Sequence, residues 1–178
     1  MQQVMAIAIR RVALAALLAS FSGGANPESA NLPLERSEPH EALAFYEGTW
    51  TIVNKGHEGY RETCSWLAEG RRHIVCRARY QTANGFRESL GVYSFDQTSS
   101  EYLYHGFGAR GGVMIERGRR IPKGFHFTSE RGTGADRVRT RFTIEEGPQG
   151  RVNTVSETAK ADGPWVVEEK LEYLRTRP

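Results

Sequence analysis

The sequence has only two cysteines among its 178 residues, Cys64 and Cys76, and no Cys-x-x-Cys pair. Tetrahedral zinc sites and dithiol redox motifs usually show such a pair, so neither is indicated. None of the five histidines is paired with another at a metal-ligand spacing. The sequence therefore predicts no metal ion and no cofactor.

Long hydrophobic runs are also missing. The longest, residues 12–21, has ten residues, whereas a membrane-spanning helix needs about 20. Arg10 and Arg11 precede it and small residues follow it, which is the order of a secretory signal peptide. We predict a signal peptide over residues 1–25, cleaved between Ser22 and Ala30, and a periplasmic or secreted protein. No cysteine follows the run to carry a lipid, so no membrane anchor is expected.

Excess charge is lacking as well. The formal net charge of +3 includes Arg10 and Arg11, so the exported chain carries about +1. Summed positive charge drives binding to nucleic acid, so the sequence predicts no nucleic-acid partner. It leaves the oligomeric state open. Residues 26–36 are polar, contain two prolines and are expected to form a flexible leader before a single domain over residues 37–178.

No segment after residue 47 has helical periodicity. Ser37 and Pro39 favour the start of a short helix that ends near Tyr46, before Gly48, and this helix could cover one end of the domain. Beyond it, ten short segments alternate with turns rich in glycine. The predicted strands are 49–54, 59–67, 72–81, 86–95, 101–107, 112–118, 124–130, 136–145, 151–158 and 165–175. The sequence thus predicts an all-β, ten-stranded, antiparallel up-and-down barrel.

Motifs for covalent catalysis or nucleotide binding are absent or unsupported. There is no Gly-x-Ser-x-Gly motif. Residues 106–111 match Gly-x-Gly-x-x-Gly, but a strand-like segment follows where dinucleotide binding needs a helix. His105 alternates with Leu103 and Phe107, which predicts that its side chain points into the barrel.

Two carboxylates are candidates for the same interior. Glu157 alternates with apolar residues on its strand, and so does Glu169, although a strand bulge would reverse either orientation. The pattern also predicts other residues for the inner wall of a ligand cavity. These are Trp66, Tyr80, Leu90, Val92, Phe142 and Trp165. A solidly packed barrel is the alternative for all of them, because small barrels are often filled by their own side chains.

The two cysteines fall on one face of neighbouring predicted strands. A three-residue turn at 68–70 would place Cys64 and Cys76 diagonally, and a turn longer by two residues would place them directly opposite. Oxidising compartments favour such pairs as disulfides, so we predict a Cys64–Cys76 bridge.

The motif Leu43-x-Phe45-x-x-Gly48-Thr49-Trp50 resembles the opening of lipocalin-like (calycin-type) barrels. Further motifs, over residues 64–76, 91–104 and 156–165, are similar to a bacterial family of unknown function with such a barrel. The resemblance covers about residues 42–176. It implies an exported barrel in which Trp50 packs under an arginine of the last strand, here Arg175. It supplies no catalytic residue.

Three functions are compatible with these patterns. The leading hypothesis is a non-catalytic carrier or sensor of a small apolar or amphipathic molecule. The second is a cavity enzyme, an isomerase or hydrolase, that uses His105 with Glu157 or Glu169. The third is a packed barrel that acts through its rim in an envelope assembly. A cavity of about 300 Å³ or more favours a ligand, and a filled interior favours the third.

Overall fold

A computed structural model describes residues 38–54, 57, 59–68 and 70–176. The predicted signal peptide, the leader and Ser37 lie outside the described residues. One short helix, α1, spans Glu38–Ala42 and continues as a 3-10 turn over Leu43–Tyr46. Two more 3-10 turns span Gly134–Asp136 and Pro148–Gly150. The strands are β1 (Gly48–Ile52), β2 (Arg61–Trp66), β3 (His73–Thr82), β4 (Gly85–Asp96), β5 (Glu101–Phe107), β6 (Val113–Ile121), β7 (Gly124–Arg131), β8 (Val138–Glu146), β9 (Arg151–Lys160) and β10 (Val166–Thr176).

The ten strands form one closed antiparallel barrel, as predicted. Each strand pairs with the next along the chain, and β10 returns to pair with β1. Short connections join consecutive strands as hairpins, which is why the path is a meander. Closure leaves no strand edge unpaired, so the sheet needs no other cover for its edges.

The helix packs at one end of the barrel. Tyr102 of β5 donates a hydrogen bond from its hydroxyl to the Pro39 carbonyl, at 3.2 Å. Leu43 is fully buried, and Phe125 of β7 lies against Phe45 with ring centroids 5.6 Å apart. We call this the capped end. The opposite end of the barrel is where β4, β6 and β10 begin and where β5 ends, and we call it the open end.

Trp50 closes the capped end from inside. It is 5% exposed, and its indole nitrogen donates to the Tyr46 carbonyl at 2.9 Å. The Arg175 guanidinium lies 4.4 Å from the indole ring centroid and donates to the Phe45 carbonyl at 2.6 Å. β1 and β10 place Trp50 and Arg175 directly opposite each other, so barrel closure itself brings this pair together.

Cys64 and Cys76 form a disulfide, as predicted. They are directly opposite in the β2–β3 ladder, with Cα atoms 4.0 Å apart. The diagonal placement expected from a three-residue turn is wrong, because the Leu67 amide pairs with the His73 carbonyl and lengthens the turn by two residues. Ala68 and Arg71 adopt positive φ, which closes the longer turn. Both sulfur atoms face the barrel interior.

Removing this bridge should weaken the fold without changing it. The Cys64→Ala/Cys76→Ala double variant is expected to lose about 2–3 kcal/mol of unfolding free energy, because the bridge closes a short loop in the unfolded chain. Urea unfolding of the oxidised and variant proteins measures the difference. Equal midpoints would show that the bridge does not contribute to stability.

Candidate functional site

The barrel encloses a cavity of about 370 Å³. Residues from the 3-10 turn, the segment before β2 and nine of the ten strands line it. They are Phe45, Tyr46, Trp50, Tyr60, Glu62, Cys64, Cys76, Tyr93, Tyr104, Met114, Glu116, Thr140, Arg141, Phe142, Ile144, Val152, Thr154, Ser156, Glu157, Thr158, Glu168 and Tyr173. The interior is therefore hollow, and most of its wall is aromatic or aliphatic.

Five tyrosines dominate the wall. Tyr46 and Tyr93 stack with ring centroids 3.9 Å apart, and Tyr93 contacts Tyr104 at 4.7 Å. Tyr60 and Tyr173 meet edge to face at 5.8 Å. A phenol offers a flat apolar face and one polar atom, so this wall can hold an apolar body and also form hydrogen bonds to a ligand.

Two glycines give Tyr104 its position. A Cβ at Gly91 would lie 2.8 Å from the Tyr104 ring, and one at Gly106 would lie 3.0 Å from it. The ring therefore lies flat over the backbone of β4 and of its own strand. Any larger residue at either position would displace the ring.

Glu62 is the first of two cavity carboxylates whose pKa burial raises. It precedes Cys64 on the inward face of β2 and accepts a hydrogen bond from Tyr60. Its side chain is half-buried and lies in the cavity lining. This burial raises the pKa of the Glu62 carboxyl to about 7, although the Tyr60 hydrogen bond lowers it in part. Glu62 therefore changes charge near neutral pH.

Glu62 does not form a metal site with the cysteines. A carboxylate oxygen of Glu62 and the sulfur atoms of Cys64 and Cys76 lie within 4.8 Å of one another. Both sulfurs belong to the disulfide, however, so neither is available as the thiolate that metal ions bind.

Glu116 is the second interior carboxylate. It lies directly opposite Tyr104 in the β5–β6 ladder and is 4% exposed. Burial raises the pKa of its carboxyl, and a hydrogen bond with Thr140 opposes this shift. The carboxylates of Glu62 on β2 and Glu116 on β6 thus line the same cavity.

The Tyr46 hydroxyl has no hydrogen-bond partner among the described residues. Tyr46 is 4% exposed and its oxygen is buried in the cavity wall. Burial, together with the nearby Tyr102, Glu62 and Glu116, raises the pKa of this phenol well above its usual range. A buried polar atom without a partner costs about 1–3 kcal/mol.

One cationic side chain contributes to the described wall of the cavity, and it is already paired. Arg141 donates two hydrogen bonds to the Glu157 carboxylate, at 2.5 and 2.6 Å. This contact lowers the pKa of the Glu157 carboxyl. Glu62 and Glu116 consequently have no cationic partner within the wall.

Two of the residues predicted for the wall from sequence contribute to the cavity, Phe142 and Glu157. For three others the predicted interior position is wrong. On β5, Tyr104 lines the cavity, so His105 lies on the other face of the strand together with Leu103 and Phe107. On β4, Tyr93 points inward, which directs Leu90 and Val92 outward. In both strands the true inward face carries tyrosine or glycine rather than aliphatic residues.

The remaining predicted wall residues lie elsewhere. Trp66 is at the capped end, where its indole nitrogen donates to Glu47 at 3.1 Å. Tyr80 lines a separate depression at the open end with Arg87 and Arg110. Trp165 stacks against the guanidinium of Arg141 at 4.4 Å and does not line the cavity.

Glu169 does not line the cavity, although it lies opposite Ser156 of the inward face of β9. A bulge in β10 between Val167 and Glu169 brings Glu168 to the cavity instead. Glu169 is 47% exposed and lies 3.6 Å from the His57 imidazole, so it has no contact with His105. The proposed His105 and Glu169 pair therefore does not form.

Sequence reasoning missed Glu62, Glu116 and most of the tyrosines. Glu62 had a readable signal, because it shares a strand face with Cys64 and Trp66. Glu116 had a weaker signal, since it shares its strand face with Met114 and Gly118 but is followed by a run of arginines.

No family model matches the chain, and no curated protein is significantly similar to it. The resemblance to a lipocalin-like bacterial family stays a prediction. Within the described part of the chain, no helix is long and apolar enough to cross a membrane.

Proposed function

We propose that the protein is an exported, lipocalin-like barrel that holds one small amphipathic molecule and catalyses no reaction. The observation that carries this proposal is the hollow, aromatic interior. Its volume of about 370 Å³ falls within the range of about 300–1,000 Å³ typical of small-molecule sites. The packed-barrel alternative requires a filled interior and loses support for that reason.

The open end supports entry of an apolar ligand. Large apolar side chains are exposed where β4, β6 and β10 begin and where β5 ends. They are Phe86, Phe107, Val113, Met114, Ile115, Val166 and Val167. Met114 belongs both to this group and to the cavity wall, so apolar surface continues from the rim to the interior.

The disulfide supports export. Disulfides persist in oxidising compartments and are rare in the cytosol, and the predicted signal peptide agrees with that placement. Detection of the mature, disulfide-bonded protein in a periplasmic or culture-supernatant fraction tests this part of the proposal, and an unprocessed cytosolic protein would contradict it.

Glu62 favours a second candidate function, a cavity enzyme. A carboxyl with a pKa of about 7 in a water-poor site is suited to act as a general base or acid at neutral pH. This candidate replaces the earlier enzyme hypothesis based on His105. Turnover of a bound ligand that is lost in Glu62→Gln, with binding retained, would favour the enzyme over the carrier.

Filling the cavity should abolish binding. Ser156→Phe places a large side chain beside Phe142 on the inward face of β9, and we expect it to weaken binding of the neutral probe Nile red by about tenfold or more. Fluorescence titration measures the dissociation constant of the wild type and the variant.

Asn153→Phe is the matched control, because Asn153 is exposed on the same strand. It should bind Nile red as the wild type does. Equal weakening in both variants, or in neither, would mean that the probe binds outside the barrel and would contradict the proposed site.

A further inference from the structure

We propose, on the basis of the carrier function above, that the ligand is an organic amine whose ammonium group is anchored by Glu62 and the Tyr46 hydroxyl, with Glu116 adding negative potential. The apolar remainder of the ligand occupies the tyrosine-lined part of the cavity. Three features of the described wall lead to this class of ligand: its charge, its unpaired polar atom and its aromatic faces.

The charge of the cavity wall favours a cationic ligand. Glu62 and Glu116 face the cavity, whereas Arg141, the cationic residue within the described lining, is held by Glu157. A buried carboxylate without a cationic partner costs free energy. An ammonium group that enters the cavity would therefore stabilise the negative charge of these carboxylates. A carboxylate or phosphate ligand would instead add a like charge beside two acids.

The Tyr46 hydroxyl favours a ligand that donates hydrogen bonds. Its oxygen is buried in the wall without a partner among the described residues, although the Glu62 and Glu116 carboxylates both act on it electrostatically. An ammonium carries three N–H donors and no acceptor. An ammonium placed between a carboxylate and this phenol oxygen can therefore supply donors to both, and the phenol oxygen has no donor among the described residues.

The aromatic rings of the cavity wall also favour a positively charged ligand. Tyr46, Tyr93 and Tyr104 form a continuous row of rings with centroids 3.9 and 4.7 Å apart. The ring quadrupole attracts a cation that lies over a phenol face, and the attraction is stronger when water is excluded. Glu62 and Glu116 both act electrostatically on the Tyr104 phenol, so the rings and the carboxylates belong to one site.

The test compares three ligands that share one octyl chain: octylammonium, octanol and octanoate. Displacement of Nile red is measured at about pH 8, where Glu62 is mostly ionised and an alkylamine, with a pKa near that of lysine at about 10.4, is still protonated. We expect octylammonium to bind about tenfold or more tightly than octanol, and octanoate to bind most weakly.

The Glu62→Gln variant should lose this preference while keeping apolar binding. Octylammonium affinity is expected to fall about tenfold or more, and octanol affinity to change less than about twofold. Tyr46→Phe should weaken octylammonium several-fold and leave octanol unchanged. Glu88→Gln, at an exposed position of β4, is the control and should behave as the wild type does.

The outcomes separate the two proposals. If none of the three ligands displaces Nile red from the wild type, the carrier function is overturned, and the amine class with it. If octanol or octanoate binds as tightly as octylammonium, the carrier function stands and the amine class is overturned. If the wild type prefers octylammonium but folded Glu62→Gln keeps the preference, Glu62 is not the anchor. The wild-type series decides the ligand class even if a variant fails to fold.

Discussion

Replacing Trp50 with alanine is expected to lower the free energy of unfolding by about 3–5 kcal/mol, the usual range for a large aromatic residue removed from a core. Trp50 is 5% exposed, and its loss would enlarge the cavity at the capped end. It would also remove the hydrogen bond to the Tyr46 carbonyl and leave the Arg175 guanidinium without its aromatic face. Urea or thermal unfolding followed by circular dichroism measures the change.

Trp50→Phe is the matched variant. It keeps most of the buried area but loses the indole donor, so its cost should be clearly smaller than that of alanine. Arg175→Ala should cost less than Trp50→Ala, since Arg175 contributes mainly its contact with the indole face and its bond to Phe45. A Trp50→Ala protein with an unchanged melting temperature would show that this residue does not close the barrel.

Glu62 should make the stability of the unliganded protein depend on pH. Its pKa in the folded protein is raised to about 7 from 4.5, so the folded state favours the protonated form. The associated stability is fully present below about pH 4.5 and is lost as the pH rises through about 7. A shift of this size corresponds to about 3 kcal/mol.

Glu62→Gln resembles the protonated carboxyl at every pH. We therefore expect it to match the wild type near pH 4 and to be more stable by about 3 kcal/mol near pH 8. Unfolding midpoints at a series of pH values measure this, with Glu88→Gln as control. Equal pH profiles for the wild type and Glu62→Gln would show that Glu62 is not buried in its ionised form.

The other groups that act on Glu62 do not produce the same pH profile. Burial raises the phenol pKa of every neighbouring tyrosine, so these side chains stay neutral between about pH 4 and pH 9. They are Tyr46, Tyr60, Tyr93, Tyr104 and Tyr173. Glu116 also has a raised pKa and adds its own loss of stability on the alkaline side. The Glu62→Gln/Glu116→Gln double variant should therefore show the flattest profile.

Much of the fold could be predicted from the sequence because alternation and turn residues are local signals. In β8, Phe142 and Ile144 alternate with Arg139 and Arg141, and in the structure Ile144 is buried and Phe142 packs against the core. The disulfide followed from compartment and strand order. Its exact register did not, because the length of the turn after Leu67 depends on the backbone conformations of Ala68 and Arg71.

The site was harder to predict because its inward faces are not the most hydrophobic ones. On β5, alternation allows either Leu103 and Phe107 or Tyr102 and Tyr104 to point inward. Hydropathy favours an inward position for Leu103 and Phe107. In the structure Tyr102 is buried and Tyr104 lines the cavity, whereas Phe107 is 42% exposed at the open end. The bulge in β10 likewise places Glu168 rather than Glu169 in the cavity lining, and nothing in the local sequence predicts this bulge.

Native mass spectrometry with octylammonium tests most directly whether the barrel interior is a binding site. The account predicts one octylammonium per wild-type molecule, the same adduct in Asn153→Phe and none in Ser156→Phe. A bare wild-type mass in excess octylammonium and also in excess octanol and Nile red, or an equal adduct in Ser156→Phe, would contradict a ligand-holding cavity.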